Sequence, residues 1–302
     1  MNKKLVLKIV LGLGLTVVMI YLSANALGSL NPKVLLQRNI DWRMAGFSTL
    51  LFGLSQIVRS FVYPFGIDNS LSFGTGFRVV TIGNLANMFL PLRLGEGLRF
   101  AFFPHYYTAT KRTEMIMIPG AADVVAILLI SMVTVPLAGN IHPGTVQVLK
   151  IAAIILIVLA GLISFFCALV KSLRKKVIRL LTPGFGRMIG WVFCTWVLSL
   201  ASTWLGIMAF HFSAIETARM AFAVFATSNL IMFIPSSPGG LGLFEYAVSI
   251  SLTFFGMHES TAVPIALLLH AEQYVVLLPL GIIAYLSSLH LPGRAKALHK
   301  GT

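Results

Sequence analysis

The chain has 302 residues, of which 57% are hydrophobic and only 11% charged, against about 25% charged in an ordinary soluble domain. So few charges cannot clothe a water-facing surface of this size, which excludes a soluble enzyme, a disordered chain and a disulfide-stapled secreted module. Lys and Arg outnumber Asp and Glu by 23 to 9, a net charge of +14, but no basic region stands apart from the apolar runs. The excess therefore points to the positive-inside rule and anionic lipid neighbours, with no nucleic-acid partner.

A helix needs about 20 apolar residues to cross the hydrocarbon core. Lys3, Lys4 and Lys8 open the chain around an apolar run over 5–27. That run is long for a signal peptide and lacks a small-x-small cleavage site, so it predicts a retained first span. Further spans are predicted at 44–63, 115–138, 150–170, 189–212 and 262–288. Two more apolar regions, 79–104 and 219–256, are interrupted by Pro, Gly and polar residues and read as broken helices or re-entrant hairpins. Cys167 and Cys194 fall inside apolar runs and read as small buried hydrophobes. No metal or cofactor spacing is present.

Basic residues set the expected orientation. The densest run is Lys171, Arg174, Lys175, Lys176, Arg179 and Arg187; with Lys111, Arg112 and both termini it is placed in the cytoplasm. Linkers 139–149, 213–218 and 257–261 are nearly free of Lys and Arg and are placed outside. Lys33, Arg38 and Arg43 violate the rule. This topology brings the first broken segment in from the cytoplasmic side and the second from the outer side.

The two broken segments also resemble each other. The first reads GNLANMFLPLRLGEGLRF (83–100) and the second SNLIMFIPSSPGGLGLFEYA (228–247). Asn84, Pro91, Gly95 and Glu96 correspond to Asn229, Pro235, Gly242 and Glu245. Paired, oppositely oriented broken segments point to an inverted repeat with a transporter's binding site between its halves, here 1–150 and 171–302 of a single transmembrane domain. The predicted fold is all-α, a polytopic membrane bundle.

A break inside lipid is tolerated only where it is buried in protein or lines a watery cavity. In the first break Arg93, Glu96 and Arg99 are spaced by threes, near one helical face. Two guanidiniums against one carboxylate leave a positive surplus that fits a phosphate; the plain alternative is a salt-bridged staple at the interface. In the second, Ser237 stands as an N-cap with Pro238 at the first helical position. Ser236 adds a hydroxyl, and Gly239, Gly240 and Gly242 leave backbone N–H groups open to an anion; a tight turn explains the same residues. Glu245 is read about two turns into a buried helix, paired with a cation or protonated. Two further acids, Asp123 and Glu272, lie inside spans. Asp123 reads as interhelical glue near the cytoplasmic face. Glu272, with His270 and Gln273, reads as a polar or proton site. HExxH, GxSxG and Walker signatures are missing, so no catalytic residue is expected.

The motifs P-x-R-x-G-E-x-x-R at 91–99 and P-S-S-P-G-G-x-G-x-x-E at 235–245 resemble the transmembrane (flippase) domain of bacterial lysylphosphatidylglycerol synthase/flippase proteins, and the resemblance covers essentially the whole chain. It implies about eight spanning or re-entrant elements in a bacterial inner membrane and movement of a modified phospholipid between leaflets. Arg93, Glu96, Arg99 and the 235–245 loop are its matching positions. The soluble synthase domain of lipid-making members has no counterpart here, so an enzyme is not expected. The expected function is movement or binding of an anionic, aminoacylated or lipid-linked headgroup, with membrane lipids as partners. The rivals are an ion-coupled transporter of a small solute using Glu96, Glu245 and Glu272, and a non-catalytic membrane partner of an envelope-biosynthesis enzyme.

Overall fold

The computed structural model describes residues 39–90, 94–139, 141–151, 153–155, 158, 183–232 and 238–289. The predicted span 5–27, most of 150–170, the basic run 171–179 and Cys167 lie outside the described residues. So do Pro91, Arg93, Pro235, Ser236 and Ser237.

Capping polar residues start the helices, and apolar length sustains them. Asp41 accepts from the backbone N–H groups of Arg43 and Met44 and opens α1, Trp42–Ser60, whose course continues through a wide helical turn, Tyr63–Ile67. Ser72 opens α2, Phe73–Phe89, and the short α3 is Gly95–Arg99. Thr108 caps α4, Ala109–Ala138, and a shorter apolar helix, α5, is Pro143–Ile155. Then come α6, Pro183–Met208, and α7, Ala214–Ile231, capped by Ser213. The chain closes with α8, Leu243–Thr253, and α9, Glu259–Leu289. Each cap satisfies an N–H left orphaned in the first helical turn. Among the described residues four helices are long and apolar enough to cross a membrane: Trp42–Ile67, Ala109–Ala138, Pro183–Met208 and Glu259–Ser288. They match the predicted spans 44–63, 115–138, 189–212 and 262–288, and all four start earlier because their first turns lie outside the apolar run.

α1 and α6 form the antiparallel spine. Asp41 N–H donates to the Ala209 carbonyl at 2.8 Å, Ser48 meets Ser202, the Phe61 and Trp191 rings meet at a tilt, 5.1 Å apart, and Arg187 donates to the Phe65 carbonyl at 2.9 Å. The core is divided between the two ends of this spine. Val62, Tyr63, Val79, Phe103, Met115 and Met188 pack one end; Ile207, Met220, Leu252, Ala262 and Ile265 pack the other. The first broken hairpin, α2 and α3, enters from the Phe103 end, and the second, α7 and α8, from the Ile207 end. Leu50, Val133, Val197, Val275 and Ile283 are exposed, an outward apolar coat that a soluble bundle of this size does not wear. Cys194 is free and exposed on α6, which corrects the expectation that it is buried: the outer face of a membrane helix is itself apolar.

Candidate functional site: a charged cavity between two broken hairpins

Between the two packed ends lies a cavity of about 650 Å³. α2 ends at Phe89 and α7 at Ile231, each shortly before its motif proline, and both hairpins line the cavity. Asn84, Asn87, Glu96 and Arg99 come from the first hairpin; Asn229, Gly239 and Gly240 come from the second. Arg59, Asp123, Ser202, Glu272 and Gln273 complete the wall from four spanning helices.

The first hairpin is tied by one polar chain. Arg99, 8% exposed, pairs with Glu96 at 2.6 Å and donates to Asn84 Oδ1 at 2.6 Å. Asn84 Nδ2 donates to Gln56 Oε1 at 2.8 Å, and Asn87 Nδ2 donates to Glu96 Oε1 at 3.1 Å. Arg99 can cross α2 because Gly83 presents no side chain there; a methyl group would run into the Arg99 side chain.

A second ion pair, which sequence reasoning passes over, shares the cavity. Arg59 Nη2 binds Asp123 Oδ2, and Trp196 Nε1 donates to Asp123 Oδ1 at 2.9 Å. Arg59 is 7% exposed and sits inside the predicted span 44–63, so the cost of an intramembrane charge was the signal that a partner existed. Asp123 lies near the middle of α4 and joins helices, as an ion pair with its second oxygen held by Trp196.

Arg99 is committed to Glu96 and Asn84, and Arg59 to Asp123. The described cavity therefore holds two guanidiniums and three carboxyl groups; the positive surplus expected for a phosphate rests on Arg93, which lies outside the described residues. Arg59 Nη1, Arg99 Nε, Asn87 Oδ1 and Glu272 Oε1 are buried without a hydrogen-bond partner among these residues. Buried polar atoms are nearly always paired, so the wall holds two donors and two acceptors whose hydrogen-bonding capacity is unused among the described residues.

The second hairpin also corrects its prediction. The α-helix begins at Leu243 with Gly242 as its N-cap, not at Pro238, which opens a single tight turn, Pro238–Gly240. Gly239, Gly240 and Gly242 have φ of 65°, 74° and 82°, values that side chains with a Cβ rarely adopt, and that is what these glycines supply. Glu245 lies in the first turn of α8 rather than two turns in. Its Oε2 accepts from the Gly242 N–H at 2.8 Å, so the protein's own carboxylate occupies the helix start proposed for an anion. Its Oε1 lies 2.6 Å from His270 Nδ1, and His270 Nε2 lies 3.1 Å from the Gly239 carbonyl. That carbonyl can only accept, so Nε2 donates and one further proton is shared between Nδ1 and Glu245. The pair is net neutral.

His270 and Glu272 are therefore not one cluster. Two residues apart on a helix they face nearly opposite sides: His270 anchors the Gly239 turn from behind, while Glu272 lines the cavity with Gln273. Glu272 Oε2 accepts from Ser48 Oγ at 2.7 Å. Of the expected site residues, Glu96, Arg99, Gly239, Gly240, Glu272 and Gln273 come together in the cavity. Gly242, Glu245 and His270 support it without lining it. No group of three or more potential metal ligands occurs among the described residues.

A family model described as the lysylphosphatidylglycerol synthase TM region matches residues 6–281. The chain belongs to that family. It is an integral membrane protein, and the shared region takes in both broken hairpins and the cavity between them. Neither a curated protein nor a solved structure matches the chain.

Proposed function

We propose that this protein moves a phospholipid headgroup, anionic or aminoacylated, between membrane leaflets through the cavity between its two broken hairpins. The observation that carries this reading is the convergence of both hairpins, entering from opposite ends, on one partly open cavity that holds two ion pairs within an apolar-coated bundle. Family membership supports a flippase-like role for such a cavity. Each of its ion pairs offers an exchange: a phosphate replaces a carboxylate on Arg59 or Arg99, and the freed Asp123 or Glu96 accepts an ammonium group. The unpaired buried donors Arg59 Nη1 and Arg99 Nε and acceptors Asn87 Oδ1 and Glu272 Oε1 would suit a headgroup carrying both kinds of group once such an exchange uncovers them. Rocking of the bundle's two ends about the cavity then exposes it to either side.

On this reading the chain acts as a transporter without catalytic chemistry. It sits in a bacterial inner membrane with both termini in the cytoplasm, with membrane lipids as its partners and an envelope-biosynthesis enzyme as the expected supplier of its cargo. Arg93, Ser236 and Ser237 would extend the headgroup path. The test is translocation of fluorescent phosphatidylglycerol and its aminoacylated form in proteoliposomes, read with an outer-leaflet quencher. Quenching beyond the outward half, reduced about tenfold or more by Arg99→Ala, supports the reading. Quenching equal to that of empty vesicles for every lipid removes it.

A further inference from the structure

Glu272 is the cavity acid that lacks a basic partner among the described residues. It is 5% exposed, its Oε1 is buried without a partner, and its Oε2 touches a serine pair whose hydrogens can be counted. Ser48 Oγ has one hydrogen and three neighbours: the Ser202 carbonyl at 2.8 Å, Ser202 Oγ at 3.2 Å and Glu272 Oε2 at 2.7 Å. The Ser202 hydroxyl already donates to the Ser48 carbonyl at 2.9 Å. With Glu272 protonated, every hydrogen has its own acceptor: Glu272 donates to Ser48 Oγ, Ser48 donates to the Ser202 carbonyl, and Ser202 donates to the Ser48 carbonyl. With Glu272 ionised, Ser48 turns its single hydrogen to the carboxylate and the bond to the Ser202 carbonyl is lost. The two protonation states thus have two distinct hydrogen-bond arrangements, and both are available without moving a helix.

The surrounding charges do not stabilise the ionised state. Arg59 on α1 is held by Asp123 of α4, and Arg43, in the first turn of α1, stands exposed. Arg99 of α3 is held by Glu96. Arg78 on α2 donates to Thr75, and Arg187 on α6 donates to the Phe65 carbonyl. On α9 itself, His270 is paired with Glu245 of α8, and the Tyr274 ring lies against His270 at 5.2 Å. With both ion pairs intact, protonated Glu272 leaves the described cavity neutral and ionised Glu272 leaves it with one negative charge.

We propose that Glu272 is a reversible proton-binding site that couples headgroup movement to a transmembrane proton gradient. This deepens the transport reading and rests on it. A proton from water on one side bonds to Oε2, and it leaves to water on the other side as Ser48 turns to the carboxylate. One proton therefore switches the cavity's charge by one unit. A charged headgroup is favoured by one state over the other, and a ligand with that differential affinity is what links the two movements.

The full chain is reconstituted in phosphatidylglycerol vesicles with the fluorescent lipids, with and without an imposed pH difference. Separately, the carboxylic-acid carbonyl band is followed by infrared spectroscopy against pH in lipid nanodiscs. The expected result has four parts. Lipid distribution in the wild type shifts by up to about tenfold per pH unit, the limit for one proton per lipid. Glu272→Gln behaves identically with and without the gradient. A protonated-acid band is present that Glu272→Gln removes. Ser48→Ala, which keeps the carboxyl but not its partner, moves that band.

Lipid movement indifferent to the gradient in the wild type, or a gradient response retained in Glu272→Gln, overturns the coupling and leaves the transport reading standing. If the wild type moves no lipid, the transport reading fails on its own. The infrared titration then decides about the proton site, and the absence of any band that depends on Glu272 and Ser48 overturns it.

Discussion

Removing Asp123 should expose how much the buried Arg59 charge costs. Arg59 is 7% exposed, the Asp123 side chain 21%, and Trp196 Nε1 depends on the same carboxylate at 2.9 Å. Deleting one member of a buried ion pair costs about 3–5 kcal/mol, because a lone charge is left behind. Since Asp123 is one-fifth open to the cavity, the low end applies, about 3 kcal/mol. An orphaned Trp196 N–H adds about 1 kcal/mol more. Asp123→Ala is therefore expected to lose about 4 kcal/mol in an SDS-titrated unfolding assay in mixed micelles. The double variant Arg59→Met with Asp123→Leu removes both charges and should recover at least about 2 kcal/mol of that loss, since the stranded guanidinium is gone. A loss below about 1 kcal/mol for Asp123→Ala, or a double variant as unstable as the single one, would refute the reasoning. Either result would mean that water in the cavity already solvates Arg59.

Other substitutions probe the hairpins and the loops. Gly83→Ala places a methyl group against Arg99 and is expected to cost about 1–3 kcal/mol as overpacking, with translocation falling in parallel with that of Arg99→Ala; wild-type translocation would contradict the crossing. His270→Ala removes the contacts to Glu245 and Gly239 and should cost about 1–3 kcal/mol, with faster amide exchange at 238–242 as its local signature. The loop carboxyl Asp68 is pushed up by burial, but bonds from Ser70 and Tyr107 outweigh this and hold it below its ordinary value. Its stabilising contribution is therefore full above the unfolded value of about 3.9 and lost as pH falls through the folded value. Asp68→Asn should flatten unfolding stability in that acid window and leave its slope near neutrality unchanged.

Much of the fold is legible because lipid makes the apolar run the dominant signal. The spans at 44–63, 115–138, 189–212 and 262–288 needed only length and hydropathy, and Pro and Gly alone mark the breaks near 91 and 235. The site was legible only in part. Glu96 and Arg99 are brought together because three-residue spacing on a helix places them side by side. Arg59 with Asp123, and Ser48 with Ser202 and Glu272, are contacts between distant helices, and no local spacing encodes them. Glu245 misled because a carboxylate in a helix's first turn and one deep inside it look alike until the helix start is known. The true start, Leu243, depends on the positive-φ glycines Gly239, Gly240 and Gly242 rather than on Ser237 and Pro238. His270 and Glu272 seemed one cluster because neighbours in sequence are not neighbours on a helix.

The most direct test of the central claim asks whether a headgroup enters the cavity during transport. A photoreactive side chain introduced at the cavity-lining Ser199 or Thr203, and as a control at the exposed Ile283, would be illuminated in vesicles containing headgroup-tagged phosphatidylglycerol. The account predicts headgroup adducts at Ser199 and Thr203, lost with Arg99→Ala. It would be contradicted by translocation that proceeds with headgroup adducts at Ile283 and none in the cavity, since the lipid would then be crossing along the outer face of the bundle.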